Sequence, residues 1–273
     1  MYWDIQPNCG GFDFSKFERN KTLSSKNKDL KHTYTKTGTT IVGCIFKDGV
    51  VLGADTRATM GSIVGDPECM KIHYLAPNIY CCGAGTAADT FNVTQMMSSE
   101  LEMQRLYTGR ESRISHVEAR LTNHLFRYMG HIGAALIVGG VDVKGPQLVS
   151  ISPYGNSMRL PFVTMGSGSL AAMAVFEKKY RDGLEEQECI DLVKDAIEAG
   201  IFHDLGSGSN VNVFIIKRNG CEKKLNYRVY NKKAFTESET YKFPKGTTEV
   251  IEEIERKWKN IEVVDEAVPM DIA

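Results

Sequence analysis

A polypeptide can carry a nucleophile and its base on one residue if that residue becomes an amino terminus, and Gly38-Thr39-Thr40 stands where such a terminus could be made. A small residue there precedes a threonine, at the junction between a leader rich in Lys, Ser, Asn and Thr and the first apolar run. A freed α-amine titrates near ~7.7–8.0, so close to neutral pH it can accept the proton of its own residue's hydroxyl. No histidine is then needed. Other groups able to stabilise charge or move protons are Asp55 at the end of an apolar run, Lys71 after an irregular stretch, and Ser167 in a small-residue turn. The loop Asp204-Leu205-Gly206-Ser207-Gly208-Ser209-Asn210 adds more. Taken singly, each is also what a solvated loop or a helix cap looks like.

Competing chemistries have less to stand on. Gly83-Ala84-Gly85-Thr86-Ala87-Ala88 and Gly166-Ser167-Gly168-Ser169-Leu170-Ala171 both match G-x-G-x-x-A between a strand and a helix, the context of a dinucleotide site and hence of an oxidoreductase. In such a unit the helix leads straight to a parallel strand, whereas here each first helix leads to another helix. The glycines therefore read as tight turns, whose N–H groups can still face a developing anion. No G-x-S-x-G elbow and no H-E-x-x-H occurs, which disfavours a Ser-His-Asp hydrolase and a catalytic metal. The seven cysteines (Cys9, Cys44, Cys69, Cys81, Cys82, Cys189, Cys221) include no C-x-x-C pair, so reduced thiols in the cytosol or nucleus fit better than a disulfide framework. With 33 basic and 34 acidic residues, the chain offers no global field for nucleic acid. Its most apolar run, 134–141, is short of the ~20 residues of a membrane span, and the N-terminus lacks a signal-peptide layout.

The elements that must position these groups follow from periodicity. Residues 15–36 lack apolar periodicity of either kind and read as leader, not core. Thr39–Phe46 and Val50–Asp55, around Lys47-Asp48-Gly49, predict a hairpin. A strand from Asn78 to Cys82 feeds a helix from about Thr86 to Tyr107, stopped by Gly109. A second helix is expected to open at Ser115, with Glu118 completing a capping box, and to run to about Met129. Strands return at 134–143, 147–152 and 160–165, then helices to about Tyr180 and over 185–203. A last hairpin joins 211–217 to 222–230 across Asn219-Gly220. Strands, helix pair, strands, helix pair, strands is an α+β order that suits two antiparallel sheets face to face with a helix pair outside each, a four-layer αββα sandwich. Beyond about Asn231 the chain is too thinly apolar for a second core, and Trp258 with Ile261 to Val264 reads as an arm anchored on a partner.

Thr39-Thr40-Ile41-Val42-Gly43, Gly53-Ala54-Asp55-Thr56-Arg57, Gly83 to Asp89, Met165 to Met173 and Asp204 to Asn210 together resemble the catalytic β-type subunits of the eukaryotic proteasome core particle, closest to the trypsin-like class. The resemblance runs from about Thr39 to the C-terminus. It implies the N-terminal nucleophile hydrolase fold, a cleaved leader over 1–38, a catalytic domain over 39–230 and an arm over 231–273 that contacts a neighbouring subunit. It also implies autocatalytic cleavage between Gly38 and Thr39, with Thr39 as nucleophile and its freed amine as base. Lys71 and Asp55 match the buried pair that stabilises the ionised hydroxyl. Gly85 matches the oxyanion N–H, and Ser167, Asp204 and Ser207 match the residues that orient the terminal amine and its water. The implied substrate is unfolded polypeptide, extended and bonded near Thr59 and Gly85 as an added strand. The implied partners are other α- and β-type subunits in stacked rings, in cytoplasm and nucleus, with no cofactor and no metal.

One position departs from the resembling class. A carboxylate usually follows the G-A-G-T-A-A-D motif by two residues, at the base of the pocket for the side chain before the cut, and this chain has Phe91. On a helical wheel Phe91 is about 160° from Val93, away from the Val93–Met97–Leu101 stripe. Gly83 and His73 still suit a roomy pocket, and Cys69 also falls at a pocket position. The missing charge-assisted hydrogen bond, worth ~1.5–3 kcal/mol, predicts a weakened preference for Arg or Lys; the alternative is that Phe91 merely fills space, with acidic character supplied by the adjacent subunit, and cleavage after basic residues survives. The rival from another class is a structural ring subunit without turnover, against which intact Thr39, Asp55 and Lys71 argue.

Overall fold

Period-2 alternation along the first strand, β1 (Thr40–Phe46), sends Val42, Cys44 and Phe46 to one hydrophobic layer and Ile41 and Ile45 to another. A strand buried on both faces needs covering on both. In this computed structural model, which describes residues 15–26, 37–230, 246 and 252–254, the covering is a helix pair on one side and a second sheet on the other. Met1–Lys232 and Lys233–Ala273 are separate compact units. Of the second, Gly246 and the exposed Glu252–Ile254 are described, so the arm residues Trp258 and Ile261 to Val264 lie outside the described residues.

The first sheet has the order β10 (Phe162–Gly166), β1, β2 (Gly49–Asp55), β11 (Asn210–Lys217), β12 (Gly220–Val229). The second has the order β5 (Ile72–Ala76), β6 (Ile79–Gly85), β7 (Ala134–Asp142), β8 (Gly145–Ile151), β9 (Ser157–Arg159). Every pairing in both is antiparallel. The helices α4 (Ser169–Lys179) and α5 (Glu186–His203) cover the first sheet through Phe176, Val193 and Ile197. The second sheet carries α2 (Ala87–Thr108) and α3 (Ile114–Arg127) through Val93, Met97, Leu101, Val117 and Leu121. Leu52, Ile137, Leu148 and Phe214 fill the space between the sheets. Each such side chain contributes ~1.5–3 kcal/mol relative to exposure. The result is the expected four-layer αββα sandwich.

Several local expectations give way to tertiary context. Ser115 lies inside α3, whose N-cap is Arg113, and its expected capping box is absent: Glu118 instead accepts hydrogen bonds from Ser157 and Arg159. The last hairpin turns at Arg218-Asn219, since Lys217 pairs with Gly220. The stretch read as leader and as lacking periodicity carries α1 (Ser15–Lys26), with Glu18 in its first turn and Lys26 in its last complementing the helix dipole. The stretch read as irregular before Lys71 holds a small two-stranded sheet, β3 (Ala58–Met60) and β4 (Ile63–Asp66), and β5 and β9 are further strands that periodicity missed.

Candidate active site

The turn between β1 and β2 fixes the first contact of the site. Phe46 pairs with Gly49, so the ladder counts back to Ile41 opposite Ala54, and Thr40 falls beside Asp55. The Thr40 N–H donates to Asp55 Oδ1 at 2.9 Å. Lys71, the residue before β5, is held by the Gly83 N–H bonding its carbonyl, and its ammonium reaches Asp55 Oδ1 at 2.8 Å. The same Nζ lies 3.2 Å from Thr39 Oγ1 and 3.2 Å from the Gly38 carbonyl oxygen. Asp55 is fully buried and Lys71 is 6% exposed, so neither charge has solvent to fall back on and each depends on the other. The second Asp55 oxygen accepts the Gly208 N–H at 3.1 Å and the Arg57 N–H at 3.3 Å.

On the nitrogen side of Thr39 the partners are hydroxyls. The Thr39 N–H donates to Ser167 Oγ at 3.0 Å, and Ser167 Oγ donates to Asp204 Oδ2 at 2.6 Å. Because its single proton is spent on the carboxylate, the Ser167 oxygen presents lone pairs to whatever nitrogen stands at Thr39. Ser207 Oγ also donates to Asp204 Oδ2, at 2.6 Å, which leaves it to accept from Thr40 Oγ1 at 2.7 Å. Burial works to raise the Asp204 carboxyl, but the bonds from Ser167, Ser207 and the Gly206 N–H outweigh it and hold the group below the usual carboxylate range.

The two residues before Thr39 are also placed. The Gly38 N–H donates to Thr59 Oγ1 at 3.3 Å, and Thr37 Oγ1 donates to the Gly85 carbonyl at 3.4 Å. Thr39 Oγ1 lies 2.7 Å from the Gly38 carbonyl oxygen. A Cβ at residue 38 would sit 2.1 Å from Gly206 Cα, so only glycine fits before the threonine. Gly85, at φ +117 and with a virtual Cβ 2.2 Å from the Gly133 carbonyl oxygen, is the second position that requires glycine. Its backbone and Thr39 line the same cavity, of about 190 Å³.

Cys69, His73, Gly83 and Phe91 line that cavity too, so all four expected pocket positions converge there. Phe91 is 53% exposed, off the buried Val93–Met97–Leu101 stripe, with its ring edge-on to His73 at 6.4 Å. Burial lowers the His73 imidazole, keeping it neutral, and raises the Cys69 thiol. Sequence reasoning missed Thr40, whose hydroxyl and N–H tie the two sides together, because the expected turn Lys47-Asp48-Gly49 sets Ile41 opposite Asp55, whereas the ladder pairs Phe46 with Gly49 and brings Thr40 there. It also missed Thr37 and the Gly208 N–H, which carry no local signal. Among the described residues no three His, Cys, Asp or Glu side chains converge as a metal would require, and no helix is long and apolar enough to cross a membrane.

A buried hydroxyl, ammonium and carboxylate in line can ease proton removal from the hydroxyl and stabilise negative charge on an adjacent carbonyl. Comparison with known proteins finds a matching family model, described as "Proteasome subunit", over residues 35–216. The chain is 53% identical to proteasome subunit beta type-7-B of Arabidopsis thaliana over 97% of this chain and 96% of that one. It is 53% identical to proteasome subunit beta type-7 of Dictyostelium discoideum, covering 90% and 92%. Against proteasome subunit beta type-2 of Saccharomyces cerevisiae the identity is 48%, covering 89% and 93%.

Proposed function

We propose, since this chain belongs to the proteasome subunit family, that it is a catalytic β-type subunit, a threonine endopeptidase made active by cutting its own chain between Gly38 and Thr39. The observation that carries this reading is Lys71 Nζ within 3.2 Å of both Thr39 Oγ1 and the Gly38 carbonyl oxygen while ion-paired to buried Asp55.

In the uncut chain the Thr39 hydroxyl adds to the Gly38 carbonyl carbon. Lys71 donates to the oxygen that gains charge, and the Gly38–Thr39 C–N bond breaks as the acyl group passes to Oγ1. Water then hydrolyses the ester, releasing the leader with the Gly38 carboxylate and leaving Thr39 with a free amine. In the cut subunit that amine, near Ser167 Oγ, takes the hydroxyl proton as Oγ1 attacks a substrate carbonyl, with the Gly85 N–H receiving the oxyanion. Collapse of the tetrahedral species passes the proton to the leaving amine, and water hydrolyses the acyl-enzyme. The bond from the Gly38 N–H to Thr59 Oγ1 supports an extended substrate held by its backbone, and with it broad acceptance of unfolded polypeptides.

As a family member the chain assembles with other α- and β-type subunits, and residues 231–273 are proposed as its arm onto a neighbour. It works in the cytoplasm and nucleus. The basic preference implied by the resemblance loses its charged partner where Phe91 stands. Mass spectrometry of the subunit in purified particles tests the reading: an N-terminus at Thr39 is expected, together with a Thr39 adduct from a threonine-directed electrophile. A chain that still begins before Thr39 and takes up no probe would make it a structural ring subunit.

A further inference from the structure

We infer that the cavity beside Thr39 receives an uncharged, apolar side chain, so that this subunit cuts after such residues in preference to arginine or lysine. The inference rests on the threonine-peptidase reading above and names the side chain that precedes the cut.

The lining supplies the argument. Among the described residues no carboxylate lines the cavity, and its one charged side chain is Lys71, of the same sign as a basic occupant. The nearest carboxylates stand outside the lining and are hydrogen-bonded there. Asp55 holds Lys71 and three backbone N–H groups, Asp89 accepts the Gly133 N–H at 2.8 Å, and Asp66 accepts the Glu68 N–H at 2.8 Å. Thr90 spends its hydroxyl proton inside its own helix, on the Ala87 carbonyl at 2.8 Å. His73 and Cys69, both partly buried, add no negative charge, since burial keeps the imidazole neutral and the thiol protonated.

An ammonium or guanidinium entering this space would leave water without a carboxylate of this chain in contact with it. An apolar side chain faces no such cost. It gains the open face of the Phe91 ring, which is half exposed and already fixed edge-on against His73. Room comes from the cavity's volume of about 190 Å³, since the absent side chain of Gly83 only lets Thr90 pack close against the wall. Shape alone would admit lysine; charge and solvation within this chain disfavour it.

The test uses assembled core particles containing this chain and two peptide vinyl sulfones that differ only in the residue next to the electrophile. One carries lysine and the other norleucine, which has lysine's carbon chain without its ammonium. The rate of adduct formation at Thr39, read by peptide mass spectrometry, is expected to be about tenfold or more faster for norleucine. Phe91→Glu is expected to narrow or reverse that ratio. Lysine labelling as fast as norleucine in the unaltered subunit overturns the inference, and so does a ratio that Phe91→Glu leaves unchanged. If Phe91→Glu does not assemble, the ratio in the unaltered subunit decides by itself. Labelling of Thr39 by neither probe has a different meaning: it overturns the threonine-peptidase reading, not the assignment of the pocket alone.

Discussion

Asp55 and Asp204 stand on opposite sides of Thr39 and do opposite kinds of work. Asp55 is fully buried and ion-paired, and through Lys71 it acts on the Thr39 hydroxyl. Asp204 is partly exposed, binds two hydroxyls, and through Ser167 acts on the Thr39 nitrogen. The hydroxyl side is a charge pair that must be complete or it becomes a liability. The nitrogen side is a hydrogen-bond relay that can lose a member and still hold its shape. On the proposed reading, a site built this way separates the group that would ionise from the group that would stay a neutral base.

The largest expected effect belongs to the residue both sides serve. Thr39→Ala should reduce turnover at this subunit by ~10³-fold or more and leave the leader attached, as peptide cleavage and N-terminal mass spectrometry would reveal. Persistent turnover would make both carboxylates structural and end the comparison. Lys71→Ala comes next. It strands Asp55 as a buried, unpaired charge, so a loss of ~3–5 kcal/mol is expected in denaturant unfolding, beyond the loss of activity. A change below ~1 kcal/mol would mean that the hydroxyl side is not the rigid half.

Gly38→Ala sharpens the contrast from the leader side. A methyl group there meets the Gly206 backbone, next to Asp204, so leader removal should slow by about tenfold in a time course of the chain beginning at Thr39. Because residue 38 would leave with the leader on the proposed reading, turnover per processed subunit should stay unchanged; a drop would show that the substitution acts on the site itself.

Asp204→Asn is expected to have the smallest effect: about tenfold in turnover, and ~1 kcal/mol of stability at neutral pH. The folded carboxyl titrates below its unfolded value of ~3.9, so its contribution is fully present above that pH and disappears as pH falls through the lowered value. The Tm gap between the two proteins should therefore persist from pH 7 to about pH 4 and close below it. A gap that closes between pH 7 and 5 would contradict the depressed carboxyl.

Much of the scaffold was legible because strands buried on two faces read as short continuous runs of apolar, often β-branched residues between turns. β1, β2, β7 and β11 alternate between helix-facing and sheet-facing cores, and Gly109, at φ +64, ends α2 where expected. The small sheet was not legible, since all four residues of β4 are exposed and carry no alternation. Nor was β5, which is five residues long with an irregular register against β6. The Ser115–Glu118 pattern misled because Arg159 and Ser157, distant in sequence, offer Glu118 better partners than a helix end does. The Asn219-Gly220 turn slipped by one residue because ladder pairing, not turn preference, chose Lys217 opposite Gly220.

By itself the sequence determined the layer order, because runs of strand and helix depend on local spacing along the chain, while the register that brings Thr40 to Asp55 was set by the folded ladder. Only the tertiary structure decided that Lys71 reaches Thr39, that Asp204 reaches Ser167, and that Phe91 turns into the cavity beside them. Those contacts join residues from separate strands, turns and helices. No local pattern encodes their separation, which is set by how two sheets and their helices pack.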